Sequence, residues 1–161
     1  MKLLLINDPA LRKVCEPVTL EELDFVKAQV PEMLEIIKAE EGAALAANQV
    51  GIIKRFFVLK DGTLVINPEI LEMSPAQDFD EGCLSIPGTR GKTQRSQEIK
   101  FRYKDESFND VESTLKGFDA VAIQHEIDHL DGKLYTDQLA PMRRALVLDK
   151  HRKFLAKRGK R

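Results

Sequence analysis

Apolar and polar residues follow two different periods along this chain. After residue 22 the apolar positions recur about every 3.6 residues, which predicts an amphipathic helix. The preceding Thr-Leu-Glu-Glu sequence, with Thr19 as the N-cap, matches a capping box. Pro31 predicts a kink or restart within this helix, and Gly42 is well placed to end it. The apolar positions are Leu23, Val26, Val30, Met33, Leu34 and Ile37.

The middle of the chain favours strands. Residues 55–60 and 63–71 are rich in apolar side chains on either side of an Asp-Gly pair, which is a hairpin-type turn signal. Residues 98–105 alternate apolar and polar side chains, as a half-buried strand does. Residues 110–117 form a weaker candidate strand.

Two further helices are predicted toward the end of the chain. Residues 117–132 return to the helical period, with Gly132 placed as the stop. A last helix is predicted from Pro141 to about Lys157. Strands in the middle and helices near both ends predict an α+β fold. The length of 161 residues predicts one domain, 1–161, with a core of its own.

Composition limits the classes of function. Hydrophobic residues make up 43% and charged residues 32%, which is typical of a soluble globular protein. The net charge of -1 gives no sign of a protein that binds nucleic acid over its whole surface. The charge is uneven, however, because residues 150–161 contain basic side chains and no acidic ones.

Cysteine content and apolar runs indicate the compartment. Only Cys15 and Cys83 occur, so a disulfide framework is not expected and a reducing compartment fits. The apolar run from Leu3 to Ile6 is too short for a signal-peptide core. No apolar stretch approaches the ~20 residues that a membrane span needs. The sequence therefore predicts a cytoplasmic protein without membrane contact.

Gln-His-Glu-Ile-Asp-His-Leu, residues 124–130, is the strongest chemical signal in the chain. On a helix, His125 and His129 lie on one face, roughly 5–6 Å apart at Cβ, a spacing at which two imidazoles bind one metal ion. Glu126 is turned about 100° from His125 and could act on a water instead of ligating. The alternative is an ordinary amphipathic helix. Its apolar neighbours argue against this, because burying such polar groups without partners is costly.

A catalytic metal site typically has three protein ligands and one open position. Downstream of the motif, the aspartates do not have the spacing of a usual third ligand, and His151 lies in the basic tail. Upstream, Cys83 follows Gly82, whose backbone allows close approach. The alternative for Cys83 is a small buried hydrophobe. The two-histidine helix favours a Cys-His-His site.

Three short motifs stand in order along the chain: Gly-Ala-Ala-Leu-Ala-Ala-Asn-Gln at 42–49, Glu-Gly-Cys-Leu-Ser at 81–85, and the motif at 124–130. With their spacing and the continuation Ser-Ile-Pro-Gly-Thr-Arg-Gly, they resemble the peptide deformylase family over nearly the whole chain. The resemblance implies an enzyme that removes the formyl group from the N-terminal formyl-methionine of new polypeptides. It also implies small antiparallel sheets around a central helix bearing the HExxH sequence, with N-terminal and C-terminal helices.

The resemblance implies one divalent metal ion per chain, Fe2+ in the cell, with Zn2+, Ni2+ or Co2+ able to replace it. The implied ligands are Cys83, His125 and His129. Glu126 would be the general base and then the proton donor to the leaving amine. Gln49 and the backbone N–H of Leu84 would face the oxygen of the tetrahedral intermediate. Ligand preference alone suits zinc, so the identity of the metal stays open.

The implied substrates are N-formyl-methionyl nascent peptides. The implied binding positions are Ala43, Ala44, Gly82, Arg90, Phe118, Val121 and Ala122. The backbone of the first three would pair with the peptide as an added strand. Arg90 would lie near the entrance. Val121 and Ala122, with Leu84, would line the pocket for the methionine side chain, and Phe118 would lie near its rim. Plain core packing is the alternative for each of these residues.

The first motif differs from the usual family pattern at two positions. Ala43 and Ala44 stand where the family has a bulky aliphatic residue and then glycine, so a changed peptide preference is expected.

Arg95 is predicted to pair with Glu81 and to hold the loop that carries Cys83, the cysteine loop, with a solvated surface charge as the alternative. Asp128 is expected to contact groups around the ligands or along its helix face and has no assigned catalytic role.

Other functions stay open at this point. A zinc endopeptidase with the HExxH sequence would cleave internal peptide bonds. A non-catalytic, metal-stabilised ribosome-binding module would have a closed four-ligand site. The basic segment at 150–161 is either a solvated helix end that complements the helix dipole or, as in similar family members, a contact for ribosomal RNA. A monomer is expected.

Overall fold

The computed structural model describes residues 1–159. Its α-helices are α1 (Leu23–Ala39), α2 (Phe118–Leu130) and α3 (Pro141–Arg158). Its strands are β1 (Ala44–Ala46), β2 (Phe56–Leu59), β3 (Leu64–Met73), β4 (Ala76–Glu81), β5 (Gly91–Ser96), β6 (Glu98–Lys104) and β7 (Asp110–Lys116). The predicted α+β class is confirmed. Within the described range, no helix is both long and apolar enough to cross a membrane.

The strands form two separate antiparallel sheets. Five of them pair in the order β1-β2-β3-β6-β7, and β4 pairs with β5. The four predicted strands correspond to β2, β3, β6 and β7, including the weaker candidate at 110–117. Strand β1 lies at one edge of the larger sheet, next to β2. No strand among residues 1–159 pairs with its other side.

The larger sheet lies between two helices because its side chains alternate between two apolar faces. Phe56 and Val58 of β2 pack in a buried cluster with Met33 of α1. Phe57, between them in sequence, packs on the other face with Ile127 of α2. Helix α2 and its histidines are thus fixed on one face of the sheet. That α2 lies at the centre of the fold stays a prediction.

The smaller sheet, β4–β5, was not predicted from the pattern of apolar residues. The reason is that both of its faces are mainly polar. Its exposed face carries charged pairs such as Asp78 with Lys92, whose atoms are 3.4 Å apart. Its other face buries Glu81, Thr93 and Arg95 instead of apolar side chains. This sheet therefore brings a polar network next to the cysteine loop.

The ends of α1 differ from the sequence prediction. The Glu22 carboxylate accepts a hydrogen bond from the Thr19 N–H at 3.0 Å, as predicted for the capping box. This box caps a short 3-10 turn, however, and α1 begins only after that turn. Helix α1 runs unbroken past Pro31, so the predicted restart is wrong. Gly42 is not the terminating residue either. The helix ends at Ala39, and the left-handed backbone belongs to Glu41, with a φ of 52°.

Candidate metal centre and active-site cleft

The three predicted ligands meet at one point. Cys83 lies in the loop between β4 and β5, and the two histidines lie one turn apart on α2. The distance from His125 Nε2 to His129 Nε2 is 3.1 Å, and that from Cys83 Sγ to His129 Nε2 is 3.2 Å. All three ligand atoms lie within 4.8 Å of one another. Two distant segments of the chain thus contribute to one cluster.

The geometry and chemistry of this cluster fit a metal ion. Tetrahedral coordination at about 2.0–2.1 Å places two ligating nitrogens roughly 3.3 Å apart, close to the separation of the two imidazoles. One sulfur and two nitrogens suit Zn2+ or Fe2+ better than Ca2+ or Mg2+. Among residues 1–159, no fourth Cys, His, Asp or Glu joins the group. Three ligands are the number typical of a catalytic site.

A buried charge network holds the first histidine. Glu81 Oε1 lies 2.9 Å from His125 Nδ1, so the carboxylate fixes the ring with its other nitrogen toward the cluster. Arg95 donates two hydrogen bonds of 2.8 Å to Glu81 and one of 2.7 Å to Asp128. Thr93 donates a further one to Glu81. The predicted Arg95–Glu81 pair is confirmed, and it links the cysteine loop to α2.

The pKa values of two buried carboxyl groups beside the cluster are shifted in opposite directions. Burial opposes ionisation of Glu81, but hydrogen bonds from Arg95 and His125 outweigh it and lower the pKa of that carboxyl. Burial raises the pKa of Glu126 to about 7, and the nearby Arg95 charge only partly offsets this effect. Glu126 Oε2 is buried and has no hydrogen-bond partner among the described residues. Glu81 is therefore held as an anion, whereas Glu126 can exchange a proton near neutral pH.

Two hydrogen-bond donors lie beside the cysteine. Gln49 Oε1 accepts the Ala46 N–H at 2.9 Å, which fixes the orientation of the amide. Its Nε2 donates to Ser85 Oγ at 3.0 Å and lies 3.7 Å from Cys83 Sγ. Within the described part of the chain, the backbone N–H of Leu84 has no acceptor. The arrangement can therefore stabilise a negative oxygen near the cluster.

The cluster borders an open cleft of about 450 Å³. All the substrate-binding positions that the resemblance implies line this cleft: Ala43, Ala44, Gly82, Arg90, Phe118, Val121 and Ala122. Gln49, Cys83, Leu84, His125 and Glu126 line it as well. Arg90 is largely exposed and pairs with Asp80 at 2.7 Å. The cleft thus brings the three sequence motifs together in space.

Sequence reasoning missed several residues of the cleft. Phe79 lines it, with its ring centroid 6.4 Å from that of Phe118. In the sequence, Phe79 is a lone aromatic residue among acidic ones just before the motif at 81–85, and this pattern could have indicated a position in the cleft. Phe154 and Arg158 of α3 also line the cleft. No local pattern places these two residues there, because their position depends on how α3 packs.

Three converging candidate ligands, an unpartnered carboxyl group and an open cleft on an α+β fold are the arrangement expected of a metal-dependent hydrolase. The polypeptide deformylase family profile matches residues 1–145. A peptide deformylase of Thermotoga petrophila is 43% identical over 148 residues, which cover 89% of this chain and 90% of the relative. The chain therefore belongs to the polypeptide deformylase family, and it is an enzyme that removes the N-terminal formyl group of nascent peptides.

Solved structures agree with this assignment. A peptide deformylase from Legionella pneumophila superposes with a TM-score of 0.92 at 32% identity, covering 99% of this chain and 98% of the other. The peptide deformylase from Thermotoga maritima gives a TM-score of 0.81 at 41% identity, covering 87% of this chain and 97% of the other. The endopeptidase and the non-catalytic ribosome-binding module are not favoured. Members of this family depend on a metal, in keeping with the Cys-His-His cluster.

Proposed function

We propose that Cys83, His125 and His129 hold the divalent metal ion of this deformylase and that Glu126 transfers the proton during hydrolysis. One observation carries the proposal: three ligand atoms converge beside a buried, unpartnered carboxyl group at an open cleft. When bound, a divalent cation supplies Lewis-acid chemistry that polarises oxygen and makes water acidic near neutral pH.

The reaction needs a proton acceptor that later becomes a donor. With a pKa near 7, Glu126 can take a proton from the attacking water and give it to the departing nitrogen. The water oxygen bonds to the formyl carbon, the carbon–nitrogen bond breaks, and the products are formate and the free amino group of methionine. Gln49 and the Leu84 N–H donate to the oxygen of the tetrahedral intermediate. One such donor is typically worth ~10²–10³ in rate.

The cleft offers positions for the formyl-methionyl peptide. The backbone of Ala43, Ala44 and Gly82 is proposed to pair with the peptide, in keeping with the edge position of β1. Leu84, Val121 and Ala122 are proposed to surround the methionine side chain. Phe118, which is 56% exposed, is suited to the rim of that pocket. Arg90 is proposed to lie at the entrance.

Fe2+ is proposed as the metal in the cell, with Zn2+, Ni2+ or Co2+ as possible replacements. Thiolate ligation supports this list, since all four ions accept sulfur and imidazole nitrogen. Elemental analysis after anaerobic purification measures the metal directly. Iron at about one atom per chain supports the proposal, and zinc at that level with no iron contradicts it.

The reaction and its metal dependence can be tested together. Incubation with formyl-Met-Ala-Ser is expected to release one formate for each new amino group and to leave the internal peptide bonds intact. Removing the metal with a chelator should abolish formate release and lower Tm, because an ion bound to the folded state stabilises it. Peptide fragments from internal cleavage, or the absence of formate from metal-loaded enzyme, would contradict the proposed reaction.

The exposed side of α3 is proposed as a contact for ribosomal RNA. Arg144, Lys150, Lys153 and Lys157 are exposed on this helix. Lys153 also pairs with Asp149 at 2.6 Å, so its charge is partly compensated. The predicted basic segment continues to residues 160 and 161, which lie outside the described residues. Exposed arginine and lysine side chains that make no buried contacts are suited to bind phosphate groups.

A triple variant tests this contact without altering the cleft. Replacing Arg144, Lys150 and Lys157 by glutamine is expected to reduce cosedimentation with ribosomes and to flatten the slope of log affinity against log salt by about 2–3. A matched variant neutralises Lys100, Lys104 and Lys116 on the larger sheet and should leave ribosome binding unchanged. Equal binding by both variants would rule out α3 as the contact. Deformylation of short peptides should stay normal in either variant.

The remaining expectations concern the state of the protein in the cell. We propose a monomer of one domain, 1–161, that acts in the cytoplasm, where nascent chains are made. Support for one domain comes from the larger sheet, which α1 and α2 cover on opposite faces. Light scattering at micromolar concentration measures the monomer, and fractionation of cells measures the location.

A further inference from the structure

One face of helix α3 packs against the walls of the cleft. The buried His151 lies with Nδ1 3.1 Å from the carbonyl oxygen of Pro87. Arg158 donates two hydrogen bonds, of 3.0 and 3.2 Å, to the Glu40 carboxylate at the end of α1. Phe154 stands between these two anchors. Offsets of three and four residues place all three side chains on the same face of α3.

The contact of Phe154 depends on the absence of a side chain at Gly88. A Cβ built on Gly88 would lie 2.8 Å from the Cβ of Phe154 and closer still to its ring, a distance that requires a displacement. Gly88 also has a φ of +77°, which disfavours other residues. The loop that follows the metal-ligating cysteine is therefore shaped to receive this aromatic ring.

Phe154 is nevertheless not fully buried. It keeps 37% of its surface exposed, and it lines the same cleft as Cys83, His125 and Glu126. Pro87, Gly88, Glu40 and Arg158 line this cleft as well. The C-terminal helix thus supplies a wall of the cleft, with an aromatic surface facing the open space. Such a surface is suited to apolar contact with a peptide.

We propose that Phe154 is a specificity-determining residue that contacts the peptide downstream of the formyl-methionine. The inference rests on the proposed function. The reacting formyl carbon must lie at the metal ligands and Glu126, and the methionine side chain takes the adjacent pocket. The remaining residues of the peptide leave the cleft past its walls, one of which is the face of α3. The Arg158–Glu40 pair acts as a positioning contact that holds this wall in place.

The test compares substrates of increasing length. The peptides are formyl-Met-Ala, formyl-Met-Ala-Ser and formyl-Met-Ala-Ser-Leu-Leu. For the Phe154→Ala variant, kcat/KM for the longest peptide is expected to fall by about tenfold, as for the loss of one apolar contact. For formyl-Met-Ala it should stay within about twofold of the unchanged enzyme. Leu146→Ala is the matched control, because Leu146 is 66% exposed on the same helix and lies outside the cleft lining.

A second variant separates peptide contact from loosening of the helix. Phe154→Leu keeps an apolar side chain against Gly88 and should show an intermediate loss for the longest peptide at an unchanged Tm. An equal change of kcat/KM for all three peptides, or no change in either variant, would overturn the proposal. Turnover of formyl-Met-Ala tests the proposed function separately. Its absence in the unchanged, metal-loaded enzyme would count against the reaction and not against Phe154.

Discussion

Replacing Glu126 by glutamine is expected to lower kcat for formyl-Met-Ala-Ser by roughly 10²–10⁴, the usual contribution of a general acid–base group. Glutamine has nearly the same shape, but it cannot accept the proton of the attacking water. Glu126 is 5% exposed, and burial raises the pKa of its carboxyl to about 7, so this group is suited to both proton transfers. Steady-state kinetics of formate release measure the effect.

A loss of activity in Glu126→Gln reports on proton transfer only when the metal stays bound. Elemental analysis should find the same metal content in Glu126→Gln as in the unchanged enzyme, because Glu126 is not in the ligand cluster. Glu106→Gln, on an exposed loop, is the matched control and should retain full activity. A metal-replete Glu126→Gln enzyme with normal kcat would remove Glu126 from the proton transfer.

Replacing Arg95 by methionine is expected to destabilise the fold by about 3–5 kcal/mol, because it leaves a buried carboxylate without its cation. Arg95 and Glu81 are each 4% exposed. The same substitution should reduce metal content, since Glu81 is then no longer held against His125. Urea unfolding measures the stability, and elemental analysis measures the metal.

A double variant and a surface pair serve as controls. Glu81→Gln together with Arg95→Met removes both charges and should cost less than the sum of the two single changes. Arg102 pairs with Glu69 at a similar distance of 2.7 Å, but both side chains are about half exposed. Arg102→Met is therefore expected to cost no more than about 1 kcal/mol. Similar losses for Arg95→Met and Arg102→Met would refute the structural role of the buried pair.

The pair of candidate histidine ligands could be predicted because both residues belong to one short sequence motif. The spacing of His125 and His129 defines a shared face wherever the segment is helical, and the apolar period predicts that helix. Cys83 is near them only through the fold. The lack of a suitably spaced downstream ligand and the preceding Gly82 favoured it as the third ligand, and the resemblance then implied the same set. The prediction of the Arg95–Glu81 contact, in contrast, rested on the resemblance. The addition of Asp128 to that network depends on where α2 meets β5, which no local pattern records.

The missed features share a physical cause. Strands β4 and β5 are stabilised by hydrogen bonding and a buried polar network, so neither has the alternation that marks a half-buried strand. The end of α1 was misplaced because Glu41 adopts a backbone conformation in which glycine is more usual. The wall formed by α3 depends on contacts between distant residues. Tertiary packing of this kind leaves no periodic signal in the sequence.

The fit of Phe154 onto Gly88 also restricts how this enzyme can change during evolution. A larger residue at position 88 collides with the ring unless position 154 becomes smaller in the same lineage. The two positions are far apart in sequence, yet substitutions there are not independent. If Phe154 contacts the peptide as proposed, paired replacements in the cysteine loop and the last helix can change substrate preference while the Cys-His-His cluster and Glu126 stay unaltered.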